Sequence, residues 1–214
     1  KYVFKEPIST RSNRKGGYSL SNYSGYSTTD DVMLLANKKL GDFTLDGFLG
    51  GSLYFRENNE QKSATSNGLN MPGFFSLNAS VDPATTSSSV TKEQINSLYG
   101  KIGFSWNSAV FIEVTGRNDW ASTLAKSERS YFYPSISGSL VISELAPLPE
   151  IFNFWKIRGS WAQTKYPTGV YDINSTYSVS RNYWGNTTAA FYPSTIRDVS
   201  LRPRSSRSYE IGTD

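Results

Sequence analysis

The side chains that most often perform chemistry are absent from this chain. It has no histidine and no cysteine, which removes the commonest general base and metal ligand and every thiolate site. A Ser-His-Asp hydrolase cannot be assembled from what remains. Three groupings are left. Glu210 and Asp214 are four apart, and a strand places such residues on one face. A calcium site or a glycosidase-type carboxylate pair is conceivable there, and plain solvation of a wet face is the favoured reading. Arg117 and Asp119 stand near the end of an alternating segment, as a structural ion pair or as ligand contacts, with the structural role favoured. Tyr183 and Trp184, in Asn182-Tyr183-Trp184-Gly185-Asn186, offer aromatic faces with polar tips that stack on sugars or pack on peptides; packing within their own loop is the competing use. No catalytic constellation emerges, and neither an enzymatic activity, a cofactor nor a metal is expected.

These residues need elements to hold them, and composition limits the choice. The net charge is +4, with the basic residues scattered. Their densest cluster, Arg197, Arg202, Arg204 and Arg207, is broken by serines and Pro203. Without a basic stripe on a recognisable motif, nucleic acid is not an expected partner. Hydrophobic residues make up 37% and aromatic residues 14%, a balance that suits a wall with one apolar and one wet side and also an ordinary soluble β-protein, so composition alone does not decide. No run approaches the roughly 20 apolar residues of a membrane helix. The first five residues are too short and too polar for a signal peptide.

Period-2 alternation recurs along the chain. Residues 98–106 read Leu, Gly, Ile, Phe, Trp at even positions and Tyr, Lys, Gly, Ser at odd ones. Asn107-Ser108 then predicts a two-residue hairpin turn, followed by a strand over 109–123. Further strands are expected over 132–142, 155–163 and 206–214, and over 32–40 and 43–55 around a turn at Gly41-Asp42. A weaker one lies near 18–27, which makes seven to eight in all. Short connections alternate with long ones at 56–96, 124–130 and 165–205. The middle of these is the shortest; rich in Ser, Thr, Asn and Gly, the long segments read as mobile or ligand-facing loops, with plain solvation favoured for any single residue. Mid-strand charges (Asp46, Lys101, Glu113, Arg117, Lys156, Arg158) and aromatics near strand ends favour an antiparallel transmembrane β-barrel over a soluble β-sandwich adhesin domain. The segment 206–214 is expected to end without a partner. Lipid does not tolerate an open sheet edge, so the chain reads as a partial segment of a larger barrel.

Five segments, in order, resemble the C-terminal barrel region of SusC/RagA-type TonB-dependent transporters of the Bacteroidota. They are Tyr99-Gly100-Lys101-Ile102; Val114-Thr115-Gly116-Arg117-Asn118-Asp119-Trp120; Phe132-Tyr133-Pro134-Ser135-Ile136-Ser137; Trp155-Lys156-Ile157-Arg158-Gly159-Ser160-Trp161-Ala162-Gln163-Thr164; and Leu201-Arg202-Pro203 with Tyr209-Glu210-Ile211-Gly212. The pattern departs at Ala121, Lys165 and Arg204, all beside loops. Residues 1–97 match only as generic hairpins. The resemblance implies that 1–214 is part of one barrel domain of about 22 strands with a plugged lumen. It implies a plug and a TonB box outside this sequence, with Lys156 and Arg158 packed on the plug. The implied partners are a SusD-like surface lipoprotein, TonB, a glycan or peptide substrate and the lipid bilayer of the outer membrane. A structural or binding barrel subunit of a larger outer-membrane assembly is the alternative role.

Overall fold

A computed structural model of the 214-residue chain describes residues 1–7, 15–147, 149, 153–185 and 187–214, without the side chains of 181–184. Among the described residues there is no α-helix. Ten strands form, named in chain order β1 (Tyr2–Glu6), β2 (Gly17–Leu40), β3 (Phe43–Leu69), β4 (Ser80–Trp106), β5 (Val110–Ala121), β6 (Ser130–Val141), β7 (Lys156–Tyr166), β8 (Ser178–Trp184), β9 (Thr187–Phe191) and β10 (Arg204–Thr213). Eight of them make one sheet in the order β1-β2-β3-β4-β5-β6-β7-β10, and β8 and β9 make a separate hairpin. The sheet is thus an up-and-down meander whose first and last members are edges. The segment 206–214 does have a partner, contrary to the sequence expectation. It pairs antiparallel with β7 from Arg204↔Tyr166 to Thr213↔Ile157, and the excursion 167–203 separates the two in sequence.

The chain divides into two compact units, and β2, β3 and β4 each run through both. One unit comprises Lys1–Thr28 and Phe55–Lys92. Here β1 pairs with β2 from Tyr2↔Ser21 to Glu6↔Gly17. The expected long loop over 56–96 does not exist. Strand β3 continues to Leu69 and β4 begins at Ser80, so only ten residues connect them. The pairing is sustained by polar cross-strand contacts: Tyr23 Oη donates to Glu60 (2.8 Å), Asn67 to Asp82 (2.8 Å) and Thr85 to the Ala64 carbonyl (3.3 Å). Both faces are polar, so hydrophobic alternation, the usual strand signal, is missing while the backbone ladder persists. Left-handed backbone stands at Asn67 and Gly68, at the end of β3, and at Gly73 in the connection; the two glycines carry no Cβ penalty there. Ser76 caps a single 3-10 turn at Leu77–Ala79.

The other unit comprises Thr29–Tyr54 and Glu93–Asp214. Two of its turns are tight. Gly41 (φ +63°) turns β2 into β3 in two residues, as expected. At the next hairpin Asn107 (φ +47°) and Ser108 (φ +56°) turn the chain, and the Ala109 amide closes the turn on the Trp106 carbonyl at 2.9 Å. The ladder resumes at Trp106↔Val110. Ala109 is therefore an extra residue, and the loop is three residues long rather than two. Pairing continues β4↔β5, β5↔β6 and β6↔β7 without interruption. Positions 148 and 150–152 of the connection 142–155 lie outside the described residues. The excursion 167–203, expected as loop, contains the β8–β9 hairpin.

Core packing is slight. Among the described residues one hydrophobic cluster is buried, Ala121, Leu124 and Tyr131, flanked by Ile95 and Tyr133. A sandwich would cover its apolar faces with a second sheet. Here those faces are exposed: Leu49 keeps 56% of its surface and Ile102 64%.

Candidate functional site

Alternation gives the sheet of the second unit two unlike faces. On β3 the outward series is Leu45, Leu49 and Leu53; on β4 it is Leu98, Ile102, Phe104 and Trp106; on β5, Ile112, Val114 and Trp120; on β6, Phe132, Ile136 and Leu140. All are exposed. The opposite series is less exposed although it is more polar: Asp46 and Ser52; Ser97, Lys101 and Ser105; Glu113, Thr115, Arg117 and Asp119; Ser135 and Ser137. This inverts the ordinary rule of burial. A sheet whose large apolar side chains face outward in rows is built for an apolar surrounding.

The outward face has a measurable height. Phe43, Phe104 and Trp106 gather beside the two tight turns, with Phe43 5.7 Å from Phe104 and stacked on Trp106 at 6.5 Å between ring centroids. Val110 pairs with Trp106, and Trp120 stands ten residues further along the same strand. At about 3.4 Å per residue and a tilt near 45°, ten residues rise about 24 Å. That matches the apolar band of roughly 25 Å between the aromatic girdles of outer-membrane barrels.

The polar face carries the candidate site residues. Arg117 and Asp119 are brought together, Nε to Oδ1 at 2.8 Å. The hairpin register sets Arg117 opposite Tyr99 and Asp119 opposite Ser97. Arg117 Nη2 donates to Ser97 Oγ (2.9 Å), and its guanidinium lies 5.4 Å from the centre of the Tyr99 ring. Tyr133 Oη donates to Asp119 Oδ2 at 2.7 Å, and Tyr131 stacks on Tyr133 at 6.2 Å. Tyr99 Oη donates to Asp31 at 3.3 Å. Asp119 is 6% exposed, and both of its oxygens are engaged from within the sheet. This satisfies the charges internally and ties four strands together; it is a brace. Tyr99, Ser97, Asp31 and Tyr133 were not singled out as site residues from the sequence. With the two-residue turn expected from the sequence, counting back sets Arg117 opposite Leu98 and Asp119 opposite Asn96; the extra residue Ala109 is what brings Tyr99 and Ser97 opposite them.

Nearer the turns, the same face holds a second group. Lys101 Nζ lies 3.0 Å from Glu113 and 3.2 Å from Asp46. The register aligns Gly103, Glu113, Ser137, Ser160 and Glu210 in one cross-strand row. They line a shallow cleft of about 410 Å³ together with Lys156 and Arg158. The Ser and Gly floor leaves room above it. At Gly103 a Cβ would collide with the Asp46 carboxylate, so glycine is what lets that carboxylate lie flat. Glu210 and Asp214 do share a face, but they do different things: Glu210 lines the cleft and Asp214 pairs with Arg158 at 3.3 Å. No group of three or more metal-type side chains converges among the described residues. Tyr183 and Trp184 belong to β8 by their backbone, and their side chains lie outside the described residues. At the other, open end of the β8–β9 hairpin, Tyr177 and Tyr192 meet edge-to-face at 5.3 Å and remain exposed. In the same excursion Arg197 pairs with Asp172.

No protein-family model and no curated protein matches the sequence. Solved structures do match. The structure of the RagAB peptide transporter superposes at a TM-score of 0.81 with 16% identity, over 99% of this chain and 24% of that one. The RagAB peptide importer in its closed-closed state gives 0.78 and 15% over 92% and 22%, and its open-open state 0.76 and 15% over 99% and 24%. The chain thus spans about a quarter of the length of the solved chains it matches. At this identity the likeness is one of fold: the present chain is an all-β antiparallel sheet that follows a segment of these transport proteins over nearly its whole length.

Proposed function

We propose that the chain forms part of the wall of an outer-membrane β-barrel that imports oligosaccharides or peptides by a TonB-dependent route, working with a SusD-like surface lipoprotein. The observation that carries this reading is the inverted sheet. An apolar band about 24 Å high, from the aromatic cluster at the tight turns to Trp120, faces outward, and a charged, small-residue face lies opposite. The likeness to the RagAB peptide importer supports transport as the purpose of the wall and favours peptides among the two substrate classes. On this reading the tight turns at Gly41-Asp42 and Asn107-Ser108 face the periplasm, because barrels of this class keep short turns on the periplasmic side. The Lys101–Glu113–Asp46 group and the cleft beside it face the lumen, where they meet the plug.

Uptake of a labelled oligopeptide mixture, and separately of labelled oligosaccharides, by cells with and without the gene tests the proposal. Gene-dependent uptake that collapses when the inner-membrane proton gradient is discharged is expected. Gene-dependent uptake that ignores the gradient would overturn the TonB-dependent part. Unchanged uptake of both classes, with the protein still in the outer membrane, would favour the structural-subunit role.

A further inference from the structure

The outward face is not uniformly smooth. Between β2, β3 and β4, close to the Gly41-Asp42 turn, lies an apolar groove of about 420 Å³, within the size range of small-ligand clefts. Leu34, Leu45, Leu49 and Ile102 wall it, with Ala36 and Gly47 between them. Gly47 fixes the depression: a Cβ at that position would sit 2.6 Å from the Lys101 carbonyl oxygen, so no side chain can fill it without moving backbone. Lys38 lines the groove as well, and the chain borders it at Asp46 and Lys101, whose side chains belong to the opposite face. Asp46 and Lys101 are paired at 3.2 Å. Lys38 is exposed and has no ion-pair partner among the described residues.

We propose that this groove binds one acyl chain of an anionic phospholipid of the inner leaflet, with the Lys38 ammonium on its phosphate. The inference rests on the barrel reading above, which makes the outward face lipid-facing. Three features carry it. The groove is apolar where a chain would lie and ends at a single unpaired cation, which is the charge pattern of a lipid. Lys38 stands three residues before Gly41, within about 10 Å of the turn along the strand. That is the level of Phe43 and Trp106, where interfacial aromatics mark the headgroup region. The four leucine-type walls continue from there toward the middle of the band, the direction an acyl chain takes. Lysine acts on phosphate as a point charge, so the site selects an anionic headgroup over a zwitterionic one by charge and not by shape.

Native mass spectrometry of the intact protein, released from mild detergent micelles containing equal phosphatidylglycerol and phosphatidylcholine, tests this. One phosphatidylglycerol should remain bound in preference. Lys38→Gln should lower its retention roughly tenfold, the value of one charge-assisted contact, and erase the preference. Ala36→Phe, which fills the groove, should release both lipids. Should Ala36→Phe fail to fold, the glutamine variant alone decides, because it alters only an exposed side chain. Wild-type protein that fractionates with outer membranes yet retains neither lipid overturns the groove, as does a Lys38→Gln protein with undiminished preference. Wild-type protein in the aqueous fraction would instead overturn the barrel reading, a separate result.

Discussion

Asp119 decides more of the local structure than any other single side chain. It is nearly fully buried and accepts from both Arg117 and Tyr133, so its removal strands a guanidinium and a phenol at once. Asp119→Ala is expected to destabilise the protein by about 2–3 kcal/mol, below the full cost of breaking a buried ion pair because Arg117 retains some solvent. Asp119→Asn keeps an acceptor for Tyr133 and should cost about half as much. Urea unfolding of detergent-solubilised protein compares the two. A pH effect belongs to Glu57, on the long arm of β3. The Lys92 ammonium at 3.1 Å and then the Asn59 amide hold its carboxyl below the usual glutamate value. A depressed folded value means the contribution is present above the unfolded value and is lost as pH falls through the folded one. Amide exchange at residues 57 and 92 should therefore accelerate on acidification through and below the ordinary glutamate range, and exchange independent of pH after correction for intrinsic rates would contradict the pairing. At this scale the Arg117–Asp119 pairing was legible because i and i+2 share a face. Tyr133 as its third member was not, since nothing in the sequence sets the β5–β6 register across the loop 122–129.

Elements were legible where the two faces of the sheet differ in polarity. Residues 98–106 and 43–55 alternate cleanly because one face carries the large apolar side chains and the other the small and polar ones. Residues 56–96 were read as loop because both faces of β3 and β4 are polar there, and only the backbone ladder makes them strands. The β8–β9 hairpin went unseen for a related reason: its short strands are spaced by Gly185 amid polar residues and carry little periodicity. Two substitutions test the positions that fix the elements. Ser108 holds a left-handed conformation that favours glycine, so Ser108→Gly should stabilise the β4–β5 hairpin by about 0.5–1 kcal/mol. Gly47→Val should destabilise by about 1–3 kcal/mol, the usual cost of overpacking, because the new Cβ meets the Lys101 carbonyl and not a movable side chain. Both are read from the midpoint of urea unfolding in the same detergent.

For the whole molecule, the inverted sheet is the central claim, and it makes the two faces unequal in energy. Ile102→Lys places a charge in the apolar band and should cost about 2–4 kcal/mol in a bilayer if it lies near the midplane. Ser137→Lys, on the polar face beside Glu113 and Glu210, should be nearly neutral. The sequence alone carried the all-β class and the facing of its strands, because alternation records which side is wet. It could not carry the strand order, since β10 joins β7 only after the 167–203 excursion. The most direct measurement uses the absence of cysteine, which makes any introduced thiol unique within this chain. Single cysteines at positions 102, 114 and 136, and at 115, 135 and 137, are labelled in native membranes with an environment-sensitive fluorophore. They are then challenged with a lipid-soluble and a water-soluble quencher. The inverted sheet predicts quenching from lipid for the first set and from water for the second. Equal quenching of both sets from water would contradict it.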